Sequence, residues 1–247
     1  MGIGLWTPTY PDLAAWARNA PGAPASTPPA GLLPAALRRR AGLMCRAVAE
    51  VTGQAAAEGG ADLSRTPVVY GSEFGETGAA VEMMRAFTVG EGLPSPTTFH
   101  NSVHNAPPGY ISIATGCHAF STSLSAGEST TAMAFLEAWA VLRQNGGDVI
   151  VALADEPVPA PLGVPDAYPV AAVAFHLRST PAGHGRARIG LPRRGPASPL
   201  AIHGGLSRHP CAPAFRLALA VDRRHSGTVS LGSGAADDWT IDVEVME

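Results

Sequence analysis

The sequence predicts an α/β domain with a mixed, mostly parallel sheet flanked by helices and a few extra strands at the C-terminal end. Three observations predict it. Asp148–Asp155 (DVIVALAD) is a continuous apolar run of strand length, the pattern of a central strand covered on both faces. A helical stretch separates it from an earlier strand-like run, Ala119–Ala126 (AFSTSLSA), so strand, turn, helix and strand form a parallel βαβ unit. Upstream, the short strand Pro67–Ser72 runs into a helix over Thr77–Thr88, a second strand-to-helix passage.

Taken in order, residues 19–34 (NAPGAPASTPPAGLLP) are too rich in proline and glycine for a regular element and read as a loop after a short N-terminal segment. One helix is expected from Ala35 to about Ala57, with Leu37, Ala41, Met44, Cys45, Val48, Ala49 and Val51 as its apolar stripe. Arg38, Arg39 and Arg40 fall in its first turn, against the helix dipole, and read either as a solvated face or as a docking patch for an acidic partner. On Thr77–Thr88 the stripe is Val81, Met84 and Phe87. Ala119–Ala126 is expected as a buried strand. The helix after it carries Met133, Phe135, Leu136, Trp139, Ala140 and Leu142 as its apolar face and stops at Gly146-Gly147. A loop over 157–169 leads to a strand over Val170–Leu177; residues 179–214 are turn-rich. Arg216–Val221, Gly227–Leu231 and Trp239–Val245 read as three short strands, the last two at a sheet edge. The whole chain is expected as one domain, with an N-terminal segment 1–34, a core 35–178 and C-terminal strands 179–247.

Composition removes several function classes. The chain has 247 residues and a formal net charge of −3, which speaks against a nucleic-acid binder. Only 15% of residues are charged against 46% hydrophobic, so part of the surface is expected to be covered by a partner. All 17 basic residues are arginine, which excludes Schiff-base and P-loop lysine chemistry. Cys45, Cys117 and Cys211 are odd in number and widely spaced, so neither a disulfide framework nor a thiolate metal site is expected, and a reducing cytoplasm fits. No apolar run reaches the ~18 residues of a membrane span.

Two constellations merit a chemical test. His100 and His104 have H-x-x-x-H spacing without an acidic residue between them, and Cys117-His118 lacks a second ligand pair, so no metal site is expected. Ser123, Ser125 and Ser129 surround a strand-to-helix turn where a nucleophile would sit, but the G-x-S-x-G pattern is missing. The turn instead reads Ala126-Gly127-Glu128-Ser129. A carboxylate at that helix start, held by unpaired N–H groups, is a poor nucleophile toward an acyl thioester.

Ser95–Pro157 resembles, without gaps, the central part of the N-terminal half of β-ketoacyl synthases, in the thiolase-like superfamily. The resemblance is carried by Ser95-Pro96, by Asn105–Ser112 (NAPPGYIS), by the Ala126-Gly127-Glu128 turn and by Asp148–Glu156 (DVIVALADE). Arg39, Arg40 and Arg46, with Tyr70-Gly71-Ser72 and Gly75, agree more weakly. The single-half form is similar to the chain length factors that accompany aryl polyene and related type II synthases. The resemblance implies that Glu128 occupies the position of the nucleophilic cysteine, and that the family's two histidines and lysine belong to a second half missing here. Cys117, eleven residues earlier, is on a different element and cannot substitute. It further implies a heterodimer with a full-length β-ketoacyl synthase, one protomer closing the acyl tunnel of the other, and contact with acyl carrier protein through that partner. Thr97, Thr98, Phe99, His100 and Ser125 fall at the tunnel and interface, Arg38–Arg40 at a carrier-protein docking patch, and no cofactor is implied. The expected function is a non-catalytic chain-length-factor subunit of polyketide or aryl polyene biosynthesis. The rivals are a malonyl-carrier-protein decarboxylase in which Glu128 imitates a glutamine, and a free-standing acyl-chain-binding homodimer.

Overall fold

The computed structural model describes residues 1–246 apart from 90–91, 163–167, 181–184, 198–199, 204 and 233–237. The chain begins with β1 (Gly2–Trp6) and a short helix α1 (Leu13–Ala17), which Asp12 caps by accepting the Ala15 N–H at 2.7 Å. After the proline-rich loop come α2 (Ala35–Arg40) and α3 (Leu43–Gly59). The single helix expected over 35–57 is thus two, because Ala41 turns extended (φ −67°, ψ 130°) and Gly42 caps α3. The arginine triplet therefore closes a short helix instead of opening a long one, and its charge agrees with the dipole.

Next come β2 (Val68–Gly71), α4 (Thr77–Thr88), α5 (Pro96–Asn101), α6 (Ala106–Thr115), β3 (Ser121–Leu124), α7 (Thr130–Asn145), β4 (Asp148–Asp155) and β5 (Ala171–Arg178). The main sheet runs β1-β5-β4-β2-β3, with β2 parallel to β3 and β4, and β5 antiparallel to β4 and β1. As the apolar run requires, β4 is buried from Val149 to Asp155. The βαβ unit forms, with β2 lying between its two strands. Contrary to expectation, β3 is not a buried strand: it is the sheet's edge, half-exposed along its length.

Helix α3 and α6 cover one face of the sheet around Trp6, Tyr70 and Ile150. Close approach is possible because β1 carries glycines: a Cβ on Gly4 would lie 2.1 Å from the Val51 carbonyl oxygen. Helix α7 covers the other face with only part of the stripe expected of it: Phe135 is buried, and Met133 and Leu142 pack against the core. Trp139 and Ala140 are exposed, while Thr130, Thr131, Ala134, Ala138 and Val141 are buried. Small side chains let the helix sit directly on Gly71, whose virtual Cβ lies 3.2 Å from Thr130 Cγ2 and 3.4 Å from Ala134 Cβ.

The C-terminal part forms a second sheet of β6 (Ala187–Ile189), β7 (Arg193–Gly195), β8 (Gly227–Ser230) and β9 (Asp238–Val245), with α8 (Ala212–Asp222) packed between it and β5. Arg216–Val221 is therefore helix, not strand. It is apolar on every side except Arg216, so the run carries no period by which helix and strand could be told apart. β9, expected at an edge, is the centre of this sheet and pairs with β6, β7 and β8. Trp16, Phe135, Phe175, Phe215 and Val243 join the two sheets in one core. Of the expected loops over 157–169 and 179–214, residues 163–167, 181–184, 198–199 and 204 lie outside the described residues.

Candidate functional site

The parallel strands β2, β3 and β4 end on one side of the sheet, and that rim gathers the residues with chemical potential. After β3, Ser125 donates to the Glu73 carbonyl oxygen at 2.8 Å. The turn then reverses through Gly127 (φ 56°), a left-handed conformation suited to glycine. Thr130 locks it, accepting the Ala126 N–H at 3.0 Å and donating to the Gly127 carbonyl oxygen at 2.7 Å. Glu128 projects from this turn, exposed, with no hydrogen bond or ion pair to its carboxylate among the described residues.

Behind the turn lies a buried hub that the sequence did not announce. Asp155, fully buried at the end of β4, accepts from Ser72 Oγ at 2.7 Å, from the Phe74 N–H at 3.0 Å, from the Glu73 N–H at 3.2 Å and from Cys211 Sγ at 3.3 Å. Burial pushes its carboxyl up while those donors pull it down. Glu156 accepts the Gly78 N–H at 2.7 Å near the start of α4; burial pushes it up too. Glu76, 6% exposed, has an Oε1 without a partner, and burial reinforced by Glu156 and Asp155 pushes its carboxyl up to about 9.

Cys211, His209 and Asp155 invite comparison with a nucleophilic trio, but their bonds point elsewhere. His209 Nδ1 accepts the Cys211 N–H at 3.0 Å, so Nε2 carries the proton and donates to the Asp155 carbonyl oxygen at 3.2 Å. Burial pulls this imidazole down to about 3, and burial with the Asp155 charge pushes the Cys211 thiol well above its ordinary range. The group is a neutral histidine and an un-ionised thiol, without a thiolate to attack anything. Residues 209–211 lie in the stretch expected to be turns, and only folding brings them against β4.

The expected tunnel residues sit on α5, whose cap is Ser95: its Oγ accepts the Thr98 N–H at 3.0 Å. Thr98 is buried and its hydroxyl donates to Glu82 of α4 at 3.0 Å. Thr97 and Phe99 are exposed, and the exposed His100 meets the Tyr110 ring edge-on at 5.3 Å. The hydrogen bonds of Thr98 thus run to α4 and its own cap, not to the Glu128 turn. Arg39 and Arg40 are exposed; Arg38 is half-buried and donates to the Pro29 carbonyl oxygen at 3.1 Å. Cys117, at the far end of α6, is buried with its thiol against the Thr66 carbonyl oxygen at 3.7 Å. Among the described residues no cluster of three His, Cys, Asp or Glu is placed to hold a metal, and no helix is long and apolar enough to cross a membrane.

The model of the β-ketoacyl synthase N-terminal domain matches residues 13–194. The chain belongs to that family. A chain of the ketosynthase (ApeO) in complex with its chain length factor (ApeC) from Xenorhabdus doucetiae superposes with a TM-score of 0.69 at 20% identity, covering 98% of this chain and 97% of that one. A chain of the ishigamide ketosynthase/chain length factor gives 0.71 at 13% identity, covering 100% and 98%. A chain of the AntDE:AntF complex, a type II polyketide synthase acyl-carrier protein with its ketosynthase bound to the hexaketide, gives 0.59 at 14% identity, covering 72% of this chain and 61% of that one. At these identities the likeness establishes the fold, the thiolase-like one that the Ser95–Pro157 motifs implied. No curated protein matches the chain in sequence.

Proposed function

We propose that this chain is a non-catalytic, chain-length-factor-like subunit that pairs with an active β-ketoacyl synthase and helps shape its acyl tunnel in type II polyketide or aryl polyene assembly. One observation carries the pairing. Among the described residues, bulky apolar side chains left in water crowd into a single stretch: Phe74, Met84, Phe87, Val89, Leu93, Phe99, Val103, Ile113 and Phe120, against only Trp139, Leu162 and Leu191 elsewhere. That stretch is α4, α5 and α6 with the segments around them and the entry to β3, whose outer edge has no strand partner among the described residues. Exposed apolar side chains close in sequence to an unpaired strand edge favour an interface there.

The site supports a non-condensing role. Glu128 stands at the family's nucleophile turn, the buried His209 and Cys211 are neutral, and the chain has no lysine. Thr97, Thr98 and Phe99, next to the apolar face, are proposed as the tunnel wall, with His100 and Ser125 at its margin and the exposed arginines at the end of α2 as a carrier-protein contact. Co-expression of the tagged chain with a ketosynthase of the same genome, followed by intact-complex mass measurement, tests the proposal. A one-to-one heterodimer is expected; a homodimer that ignores the ketosynthase refutes it. In the reconstituted synthase, Thr98→Phe is expected to shorten the product.

A further inference from the structure

At the other end of α7, the chain holds a cavity of about 560 Å³ between that helix, the end of β5 and the start of the second sheet. It opens toward the C-terminal end of α7, around Trp139, Leu142 and Arg143, whereas the Glu128 turn precedes the helix. The β3 edge lies at the opposite end of the sheet order from β1 and β5, so pairing along that edge leaves this cavity open.

Its lining combines apolar, polar and charged side chains, Ser179, Thr180 and the buried His176 among the polar ones. Phe135, Leu142, Leu177 and Ile189 supply an apolar interior, with the half-exposed Trp139 at the mouth. The charged residues are three arginines, Arg143, Arg178 and Arg188, against one carboxylate, Glu58. In a chain of net charge −3 this is a local reversal of sign. Most of these charges are satisfied: Arg178 by Asp148, Arg188 by Glu244 at 3.1 Å, Glu58 by Arg186 at 2.9 Å. Arg143 is not. Its guanidinium sits 5.9 Å from the Trp139 ring centroid and meets no carboxylate among the described residues.

We propose that this cavity binds a free aliphatic or aryl carboxylic acid, with its hydrocarbon body on Phe135, Leu142, Leu177 and Ile189 and its carboxylate on Arg143. The volume lies in the range of small-molecule sites, which pair an apolar lining with a few placed polar groups. One unmatched guanidinium suits a singly charged planar head that accepts two parallel N–H bonds. The inference stands on the cavity alone and is independent of any ketosynthase partner.

The test is titration of the full chain with decanoate, followed by calorimetry and by the fluorescence of Trp139, with Trp139→Phe as the optical control. Saturable one-to-one binding is expected. Arg143→Ala, at an exposed position where folding is not at stake, is expected to weaken it about tenfold, the usual contribution of a charge-assisted pair. Decanol and the N-acetylcysteamine thioester of decanoic acid, which share the body and lack the charge, are expected to bind at least as weakly as decanoate binds that variant. Absence of saturable binding overturns the site. Equal binding of decanol or the thioester, or an unchanged affinity in Arg143→Ala, overturns the carboxylate assignment.

Discussion

Glu76 sits at the entry to α4 with its carboxyl almost wholly out of water and no donor for Oε1, facing Glu156 and Asp155. Burial and like charge hold it protonated in the fold to about pH 9, whereas the unfolded chain ionises it near its ordinary value of 4.5. The sign follows: a carboxyl raised in the fold imposes no penalty below pH 4.5, a growing one from 4.5 to 9 as the unfolded state alone releases its proton, and a constant one above. At pH 7 the interval is about 2.5 pH units, or about 3 kcal/mol at 1.36 kcal/mol each; at pH 9 the same arithmetic gives about 6 kcal/mol. Glutamine has the same shape and is neutral in both states. Glu76→Gln is therefore expected to stabilise the chain by about 2–3 kcal/mol at pH 7, after about 1 kcal/mol is allowed for an imperfectly paired amide. Urea unfolding of both proteins at pH 5, 7 and 9 at one ionic strength measures the gap. It should be within about 1 kcal/mol at pH 5 and widen steadily toward pH 9. A gap independent of pH, or a variant less stable at every pH, would refute the reasoning.

Asp155→Asn places an amide donor among four donors, and a loss of about 3 kcal/mol is expected in the same unfolding assay. Gly4→Ala sets a methyl 2.1 Å from the Val51 carbonyl oxygen and must push α3 off β1, with an expected loss of about 3 kcal/mol or failure to fold. Cys45, Cys117 and Cys211 are all buried, so a thiol reagent should label none in the native chain and all three after denaturation; rapid native labelling would contradict the packing. The purified chain should release no carbon dioxide from malonyl carrier protein, because its buried His209 is neutral and has both ring nitrogens engaged by backbone.

What the sequence discloses depends on whether burial leaves a period. β4 was legible to the residue because a strand covered on both faces is simply apolar for its whole length, and α4 because its start and stop bracket one stripe. On α7 periodicity finds the core-facing Phe135, Met133 and Leu142 but adds the exposed Trp139 and Ala140, because it favours bulky residues, whereas this helix also buries Thr130, Ala134 and Ala138 so as to sit on Gly71. β1 escaped notice since two of its five residues are glycine, kept small by α3. α8 has hardly a polar side from which to read a period. In the site, Glu128 lies in a turn between a strand and a helix, as its place in the sequence suggests. The hub around Asp155 was out of reach, for it joins residues 72–76, 155–156 and 209–211, which only the fold brings together.

Ser121-Thr122-Ser123-Leu124 offers four residues of backbone on its outer side, three of them bearing hydroxyls. A strand with so little apolar alternation adheres without specifying register or identity, since sliding it by one residue exchanges like for like. On the proposed pairing, telling a ketosynthase from a second copy of this chain falls to the side chains around it: Phe120 before the strand, Ile113 on α6 and the aromatic residues of α4 and α5. The backbone edge would make association general, and those flanking residues would make it selective.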